Sequence, residues 1–213
     1  MTRSMRVGVC LAFLAAASLL PVTVEAGPGY VNFVLGQKQF DSEEWDPIAK
    51  QPVFGVEAAF GPSTWPVHIM TFLQRSSKSK DAEADDGSGG TVTYTLEADT
   101  WEFGGGVNKT FGSDKLHPYI GAGAVYAKVD VTAKYIGFSG SDDANGFGFW
   151  GGGGAFYRLG TRFNVGGTVR YSSANVDFNA FDTGTVEFGG AELDAGGVTF
   201  GFLLGWGWPA TTP

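Results

Sequence analysis

Strict two-residue alternation of bulky apolar with small or polar side chains is the feature that most constrains this chain. The clearest example lies in residues 162–172, where Phe163, Val165, Val169 and Tyr171 alternate with Arg162, Asn164, Thr168, Arg170 and Ser172. Successive side chains of a strand point to opposite faces, so this pattern predicts β-structure. After residue 27 we find neither a convincing amphipathic helix nor 18 consecutive apolar residues, and a helical membrane span is therefore excluded.

Eight such runs predict an all-β fold. The strands are placed near 30–40, 52–60, 67–76, 91–111, 117–134, 147–159, 162–172 and 191–208. The connections alternate between short turns at 61–66, 112–115 and 159–161 and longer, acidic loops near 41–51, 77–90, 135–146 and 173–190. Short turns at one rim and long loops at the other are typical of an eight-stranded antiparallel up-and-down transmembrane β-barrel.

The pattern of residues 1–26 predicts a signal peptide. Arg3 and Arg6 precede a 14-residue apolar stretch at 7–20, and Val-Glu-Ala at 24–26 is similar to a cleavage site. A membrane helix is the alternative, but the stretch is shorter than the about 20 residues needed to cross a bilayer. We therefore expect export, and a single barrel domain over residues 27–213. Cys10, the one cysteine, would be removed with the leader.

Alternation alone fits two barrels, a soluble lipocalin-like barrel with its apolar face inside and a membrane barrel with that face outside. Residue size favours the membrane barrel. The chain has 34 Gly and only 17% charged residues, and the non-aromatic face of the last strand carries little more than Gly and Thr. Small side chains suit a narrow lumen. Aromatic residues near the strand ends are expected to form interfacial girdles: Tyr30, Trp65, Tyr119, Tyr157, Tyr171, Trp206 and Trp208.

Two segments resemble the small eight-stranded outer-membrane barrel family of Gram-negative bacteria, the porin-like or opacity-type barrels. Residues 117–124, His-Pro-Tyr-Ile-Gly-Ala-Gly-Ala, are similar to a strand opening of that family. Thr199, Gly201, Leu204 and Trp206 follow the closing-strand pattern that the barrel assembly machinery recognises in family members. The resemblance implies a location in the bacterial outer membrane and assembly by that machinery, although five residues follow Trp208 where family members often end in Phe.

With the apolar faces toward lipid, the opposite faces direct eight charged residues into the lumen: Lys38, Glu57, Glu102, Lys128, Asp130, Arg158, Arg162 and Arg170. Because an isolated buried charge is costly, we expect pairing between the two signs. Such pairs either form a structural plug or rearrange as a gate. The sequence does not decide which carboxylate meets which cation.

The four long loops contain 13 Asp or Glu and three Lys, a net charge of −10. Without the leader the chain keeps 12 basic and 21 acidic residues, so its net charge is −9. This balance argues against a nucleic-acid partner. The acidic rim fits contact with outer-membrane lipid and lipopolysaccharide through divalent cations, which prefer carboxylate oxygens. Plainly solvated loops are the alternative.

We expect no enzymatic activity, no cofactor and no metal site. Some barrels that resemble this chain act on acyl chains through a His near the outer leaflet, but His68 and His117 each follow a short turn. Both are therefore expected at the periplasmic rim. The Gly-rich stretches at 104–106 and 151–154 do not lead into a helix or a Lys-Ser or Lys-Thr pair, which argues against phosphate binding.

Three hypotheses for function remain. In the first, the barrel has a structural or surface-interaction role with a polar, plugged lumen. In the second, it is a narrow channel for ions or small solutes. In the third, it is an adhesin that acts through its loops.

Overall fold

The computed structural model describes residues 28–41, 45, 48–85, 90–112, 115–135, 138–177, 181–182, 187–188 and 192–208. The predicted signal peptide lies outside these residues. Eleven strands occur within them: β1 (Gly29–Phe40), β2 (Lys50–Phe60), β3 (His68–Asp85), β4 (Thr91–Thr110), β5 (Leu116–Tyr135), β6 (Phe138–Leu159), β7 (Phe163–Asp177), β8 (Phe181–Asp182), β9 (Glu187–Phe188), β10 (Glu192–Asp194) and β11 (Gly197–Trp208). The described residues contain no helix that is long and apolar enough to cross a membrane.

The predicted eight-stranded antiparallel barrel is confirmed. Strands β1 to β7 pair in sequence order, and β11 pairs with both β7 and β1. Gly29 opposite Trp208 fixes the register of the closing pair. Closure satisfies every strand edge inside the barrel, which is what a membrane requires of a sheet.

The short connections are also confirmed, since seven, five and three residues separate β2 from β3, β4 from β5 and β6 from β7. We call this rim, which also carries the two chain ends of the barrel, the turn end. The opposite rim is the hairpin end. In outer-membrane barrels the short turns face the periplasm and the longer connections face the exterior.

The predicted loops near 77–90 and 135–146 are wrong in large part, because strands occupy most of both. β3 continues to Asp85 and β6 begins at Phe138, so β3 to β6 have 18 to 22 residues whereas β1, β2 and β11 have 11 or 12. Both faces of a hairpin beyond the membrane meet water, so its strands do not need apolar alternation. The last strand was predicted near 191–208, but β11 begins at Gly197. The φ of Gly197 is 142°, a backbone conformation that favours glycine.

The apolar face points outward, as predicted. Phe33, Phe54 and Phe103 are each about half exposed, while their strand neighbours are buried. Two residues of the predicted girdle are exceptions, because Tyr30 and Tyr119 lie inside the barrel. The physical reason is that the two hydroxyls reach lumenal hydrogen-bond partners, which makes burial of a tyrosine favourable.

Candidate functional site in the lumen

An aromatic layer occupies the lumen near the turn end. The ring of Phe156 on β6 contacts Tyr30 at a centroid distance of 5.0 Å and stacks on His117 at 5.1 Å. The hydroxyl of Tyr30 accepts a hydrogen bond of 2.9 Å from the side-chain amide of Asn108. The layer leaves the hydroxyls directed toward the polar groups around it.

Glu57 and Arg170 form the first ion pair next to this layer. Nη2 of Arg170 lies 2.8 Å from Oε2 of Glu57, and the two side chains are 3% and 0% exposed. The guanidinium of Arg170 also lies 3.7 Å from the ring centroid of Phe72, so an aromatic face covers part of the cation. The pair joins β2 to β7, which are not neighbours in the barrel.

The second oxygen of Glu57 collects further hydrogen bonds. Its Oε1 accepts from the hydroxyl of Tyr119 at 2.8 Å and from the amide of Asn32 at 3.3 Å. Asn32 in turn accepts from Asn164 at 3.1 Å, and Asn164 accepts from Nε of Arg158 at 3.1 Å. Polar contacts therefore run without a break from Glu57 to the turn end.

Gln74 connects this pair to a second one. Its Oε1 accepts from Nη1 of Arg170 at 3.0 Å, and its Nε2 donates to Oε2 of Glu102. The other oxygen of Glu102 lies 3.0 Å from Nζ of Lys38 and accepts from the hydroxyl of Ser172 at 2.7 Å. Lys38 and Glu102 are almost completely buried, so the lumen holds two cations and two carboxylates in one connected network.

The lumen ends in an apolar cap at the hairpin end, which we define by Phe40, Trp45, Ile48 and Ala195. Trp45 stacks on Phe40 at 4.3 Å, and its Nε1 donates to the carbonyl of Asp194 at 3.0 Å. Nζ of Lys38 donates to the carbonyl of Ala195 at 2.7 Å. All four cap residues are buried, and the last contact joins the cap to the network.

Three polar side chains between the network and the cap are buried without a hydrogen-bond partner in the part of the chain that the structure describes. They are Gln51, Ser76 and Thr100, on β2, β3 and β4. Ser76 and Thr100 are opposite each other in the β3–β4 register, and Gln51 is opposite Lys38. Groups of this kind are ordinarily satisfied by water, so this part of the lumen has the chemistry of a small hydrated space.

The structure brings together four of the eight residues that were predicted to share the lumen, namely Lys38, Glu57, Glu102 and Arg170. Arg158 also points inward, but it lies at the turn end and its side chain meets Asn164 instead of a carboxylate. Arg162 is exposed in the turn before β7. Its predicted lumenal position is wrong because the strand begins one residue later, at Phe163.

The predicted lumenal positions of Lys128 and Asp130 are wrong as well. Both lie on the outer face, where Nζ of Lys128 is 2.6 Å from Asp130 and 3.5 Å from Asp143, and the two side chains of the first pair are 31% and 45% exposed. The inward positions on this strand belong to Ala127 and Val129. This part of β5 lies beyond the apolar band, so its outer face carries charge without burying it.

Sequence analysis missed Gln74, which connects the two ion pairs, and Asn32 and Tyr119, which donate hydrogen bonds to Glu57. A signal was present, because each occupies an inward position of its strand. Neutral polar residues are common on both faces of strands, however, and alternation alone does not separate a connecting amide from a solvated one. The contribution of Trp45 was missed because it lies between strands.

The closing-strand residues divide between the two faces of β11. Thr199 and Gly201 point inward, where Thr199 lies 3.3 Å from Nε2 of Gln74. Trp206 is 57% exposed on the outer face, and Leu204 lies on the same face. A small-residue inner face and an apolar outer face are thus present in the strand that closes the barrel, and residues 209–213 lie outside the described part.

Both histidines lie at the turn end. They line a pocket of about 220 Å³ together with Tyr30, Phe156 and Arg158. Among the described residues, no three His, Cys, Asp or Glu side chains come close enough together to hold a metal ion.

A closed barrel with an apolar exterior, a charged interior and unequal rims defines the class as an outer-membrane β-barrel. The sequence matches the model of the outer membrane protein beta-barrel domain over residues 8–204, and the chain belongs to this family. The protein is therefore located in the bacterial outer membrane, in agreement with the resemblance seen in the sequence. No curated protein matches the sequence.

Solved barrels share the fold. The outer membrane protein OprG of Pseudomonas aeruginosa superposes with a TM-score of 0.60 at 12% identity, covering 88% of this chain and 98% of OprG. Ail, the attachment invasion locus protein of Yersinia pestis, gives 0.56 at 11% identity, covering 85% of this chain and 99% of Ail. A major outer membrane protein of Thermus thermophilus gives 0.51 at 11% identity, with 85% of this chain and 98% of that protein covered.

Proposed function

We propose that this protein is a closed outer-membrane barrel without enzymatic activity that acts through its outer surface. The observation that supports it most is the connected network of Lys38, Glu102, Gln74, Arg170 and Glu57. Each buried charge in it has an opposite charge and additional hydrogen bonds. Opening a path through the lumen would separate these pairs in a region of low dielectric, which is unfavourable. The apolar cap adds a second barrier beyond the network.

The narrow channel is the second candidate, and one observation favours it. Gln51, Ser76 and Thr100 are buried polar groups without a partner among the described residues, which fits water inside the lumen. Passage would require the cap to move and the Lys38–Glu102 pair to rearrange. In this alternative the ion pairs act as a gate.

The adhesin hypothesis concerns the hairpin end. Ail has been solved in complex with sucrose octasulfate, a heparin analogue. In this chain the segments that were predicted as long loops carry a net charge of −10, which would repel a polysulfated ligand. A surface partner for these hairpins would be neutral or cationic, or would be an anionic lipopolysaccharide bound through divalent cations.

The closing strand supports recognition by the barrel assembly machinery. Thr199, Gly201, Leu204 and Trp206 occupy the strand that completes the barrel by pairing with β1. In this proposal the machinery recognises the outward Leu204 and Trp206 while the small inward residues leave room for pairing.

Thiol labelling tests the closed lumen, because the sequence has no cysteine after Cys10. Ser76→Cys places a thiol inside the barrel, and Ser79→Cys is the matched control because Ser79 is exposed on the same strand. A small, charged thiol reagent is expected to label Ser79→Cys rapidly and Ser76→Cys only after heat unfolding. Equal labelling of both variants in the folded protein would support the channel instead.

A further inference from the structure

The outer face of the barrel carries a groove of about 720 Å³ on the wall formed by β1 to β4. Its apolar lining includes Phe33, Phe54, Val56 and Leu73. Three of these side chains are between 41% and 57% exposed, so the groove opens to the surface that contacts lipid. Gln74 of the lumenal network belongs to the same part of the wall.

A gap in the strand ladder accounts for the groove. β2 begins at Lys50 and β3 extends to Asp85, but the two strands are paired only as far as Val53 opposite Ser76. Toward the hairpin end, the residue of β2 that comes after Val53 is Pro52, which has no N–H to donate to a ladder. β3 then continues with β4 alone, and the wall is indented beside Pro52.

The end of the groove nearest the hairpin end is cationic. Arg75 lines it beside Trp101, with its guanidinium 5.5 Å from the ring centroid. Lys50 lies two residues beyond Pro52, on the outer face of β2. Lys50 forms no ion pair with another residue in the described ranges. Arg75 and Lys50 thus place two cations on the outer face at this end of the groove.

Arg75 is held in place by Asp99. Its Nε donates to both carboxylate oxygens at 3.0 and 2.9 Å, and Nη2 also donates to Asp99. A guanidinium has five N–H donors, so Nη1 is the edge that an anion can approach. The side chain of Arg75 is half exposed, which gives an anionic headgroup access to it.

We propose that this groove binds lipopolysaccharide through its lipid A portion. An acyl chain lies along Phe54, Val56 and Leu73, and a lipid A phosphate meets Arg75 and Lys50. The cationic end lies toward the exterior, where the outer leaflet presents this lipid. The inference rests on the proposed surface role, and it adds a direct contact to the one through divalent cations. Lipid A combines the acyl chains and the phosphate charge that the two ends of the groove match.

Native mass spectrometry of the full mature barrel in detergent, titrated with diphosphoryl lipid A in the presence of EDTA, tests this site. Arg75→Gln removes the guanidinium and is expected to weaken binding about tenfold, as expected for the loss of one charged hydrogen-bond partner. Lys128→Gln is the matched control, because Lys128 is also an outer-face cation paired with carboxylates but does not line the groove. Its affinity is expected to be unchanged.

Leu73→Trp fills the groove without removing charge and is also expected to weaken binding, with folding verified by heat-modifiable gel mobility. Equal affinity for phosphatidylglycerol, binding that is lost in EDTA, or wild-type affinity in both Arg75→Gln and Leu73→Trp would overturn the proposal. The closed-lumen proposal has a separate readout, since labelling of Ser76→Cys does not depend on this groove.

Discussion

Arg170 and Glu57 meet across the lumen at 2.8 Å, with the ring of Phe72 3.7 Å from the guanidinium on another side. The two residues are 113 positions apart in the chain. Their contact holds together two strands that do not share a ladder. The pair thus links two separate parts of the barrel wall across the lumen.

Removing one member of this pair should therefore destabilise the barrel strongly. Glu57→Gln leaves the buried cation of Arg170 without its carboxylate, and the expected loss is about 3–5 kcal/mol in the free energy of unfolding. Urea unfolding in lipid vesicles measures it. Lys134→Gln is the control, because its pair with Glu97 is largely exposed and contributes less than about 1 kcal/mol. Equal effects of the two substitutions would show that burial of the Glu57 pair contributes nothing.

The second pair should show coupling between its members. Glu102→Gln alone leaves Lys38 buried and unbalanced, while Lys38→Met alone leaves Glu102 with only the neutral donors Ser172 and Gln74. We expect the double variant to be more stable than the sum of the two single losses predicts, by about 0.5–3 kcal/mol. The double-mutant cycle consists of the wild type, the two single variants and the double variant, and the melting temperature of each is measured. An unchanged melting temperature in Glu102→Gln would contradict an ion-pair network as a source of stability.

Two adjacent glycines should differ in their tolerance of a methyl group. A Cβ at Gly104 would lie 2.1 Å from the ring of Phe72, whereas a Cβ at Gly105 would meet nothing within 4 Å. Gly104→Ala is expected to displace Phe72 from beneath Arg170 and to cost about 1–3 kcal/mol, as overpacking does. Gly105→Ala, on the outer face, should remain close to wild type. A Gly105→Ala variant that is less stable than Gly104→Ala would contradict the lumenal position of Gly104.

The closing strand should affect assembly more than it affects the folded state. Trp206→Ala is expected to lower the fraction of protein that reaches the heat-modifiable form in outer membranes. Trp101→Ala is the matched control, since Trp101 is also an exposed aromatic residue of the outer face, at 41% exposure against 57% for Trp206. Similar assembly of the two variants would argue against recognition of this strand by the machinery.

The sequence predicts the barrel well because alternation is a local property that each strand displays by itself. Lys38, Glu57, Glu102 and Arg170 follow the rule, and all four lie in the lumen. Lys128 and Asp130 do not, because they belong to a part of β5 whose outer face is already beyond the apolar band. Alternation determines relative faces, but it does not determine where a strand leaves the membrane.

The partners within the lumen depend on information that one strand does not contain. Which cation meets Glu57 depends on the stagger between strands, and the stagger follows from pairing along the whole barrel. Tyr119 shows the same limit. From the sequence it is an aromatic residue near a strand end and was assigned to the girdle, but its hydroxyl lies 2.8 Å from Glu57 inside the barrel. The cap residue Trp45 lies outside all strands, so alternation says nothing about it.

Conductance of the refolded mature protein, residues 27–213, in a planar lipid bilayer tests the closed lumen most directly. Folding and insertion are verified first by heat-modifiable gel mobility. We predict that the inserted wild-type barrel stays silent, because the network and the apolar cap both block the lumen. Steady, reproducible conductance steps from the folded protein would contradict the closed lumen and would make Lys38, Glu102, Arg170 and Glu57 the filter of a channel.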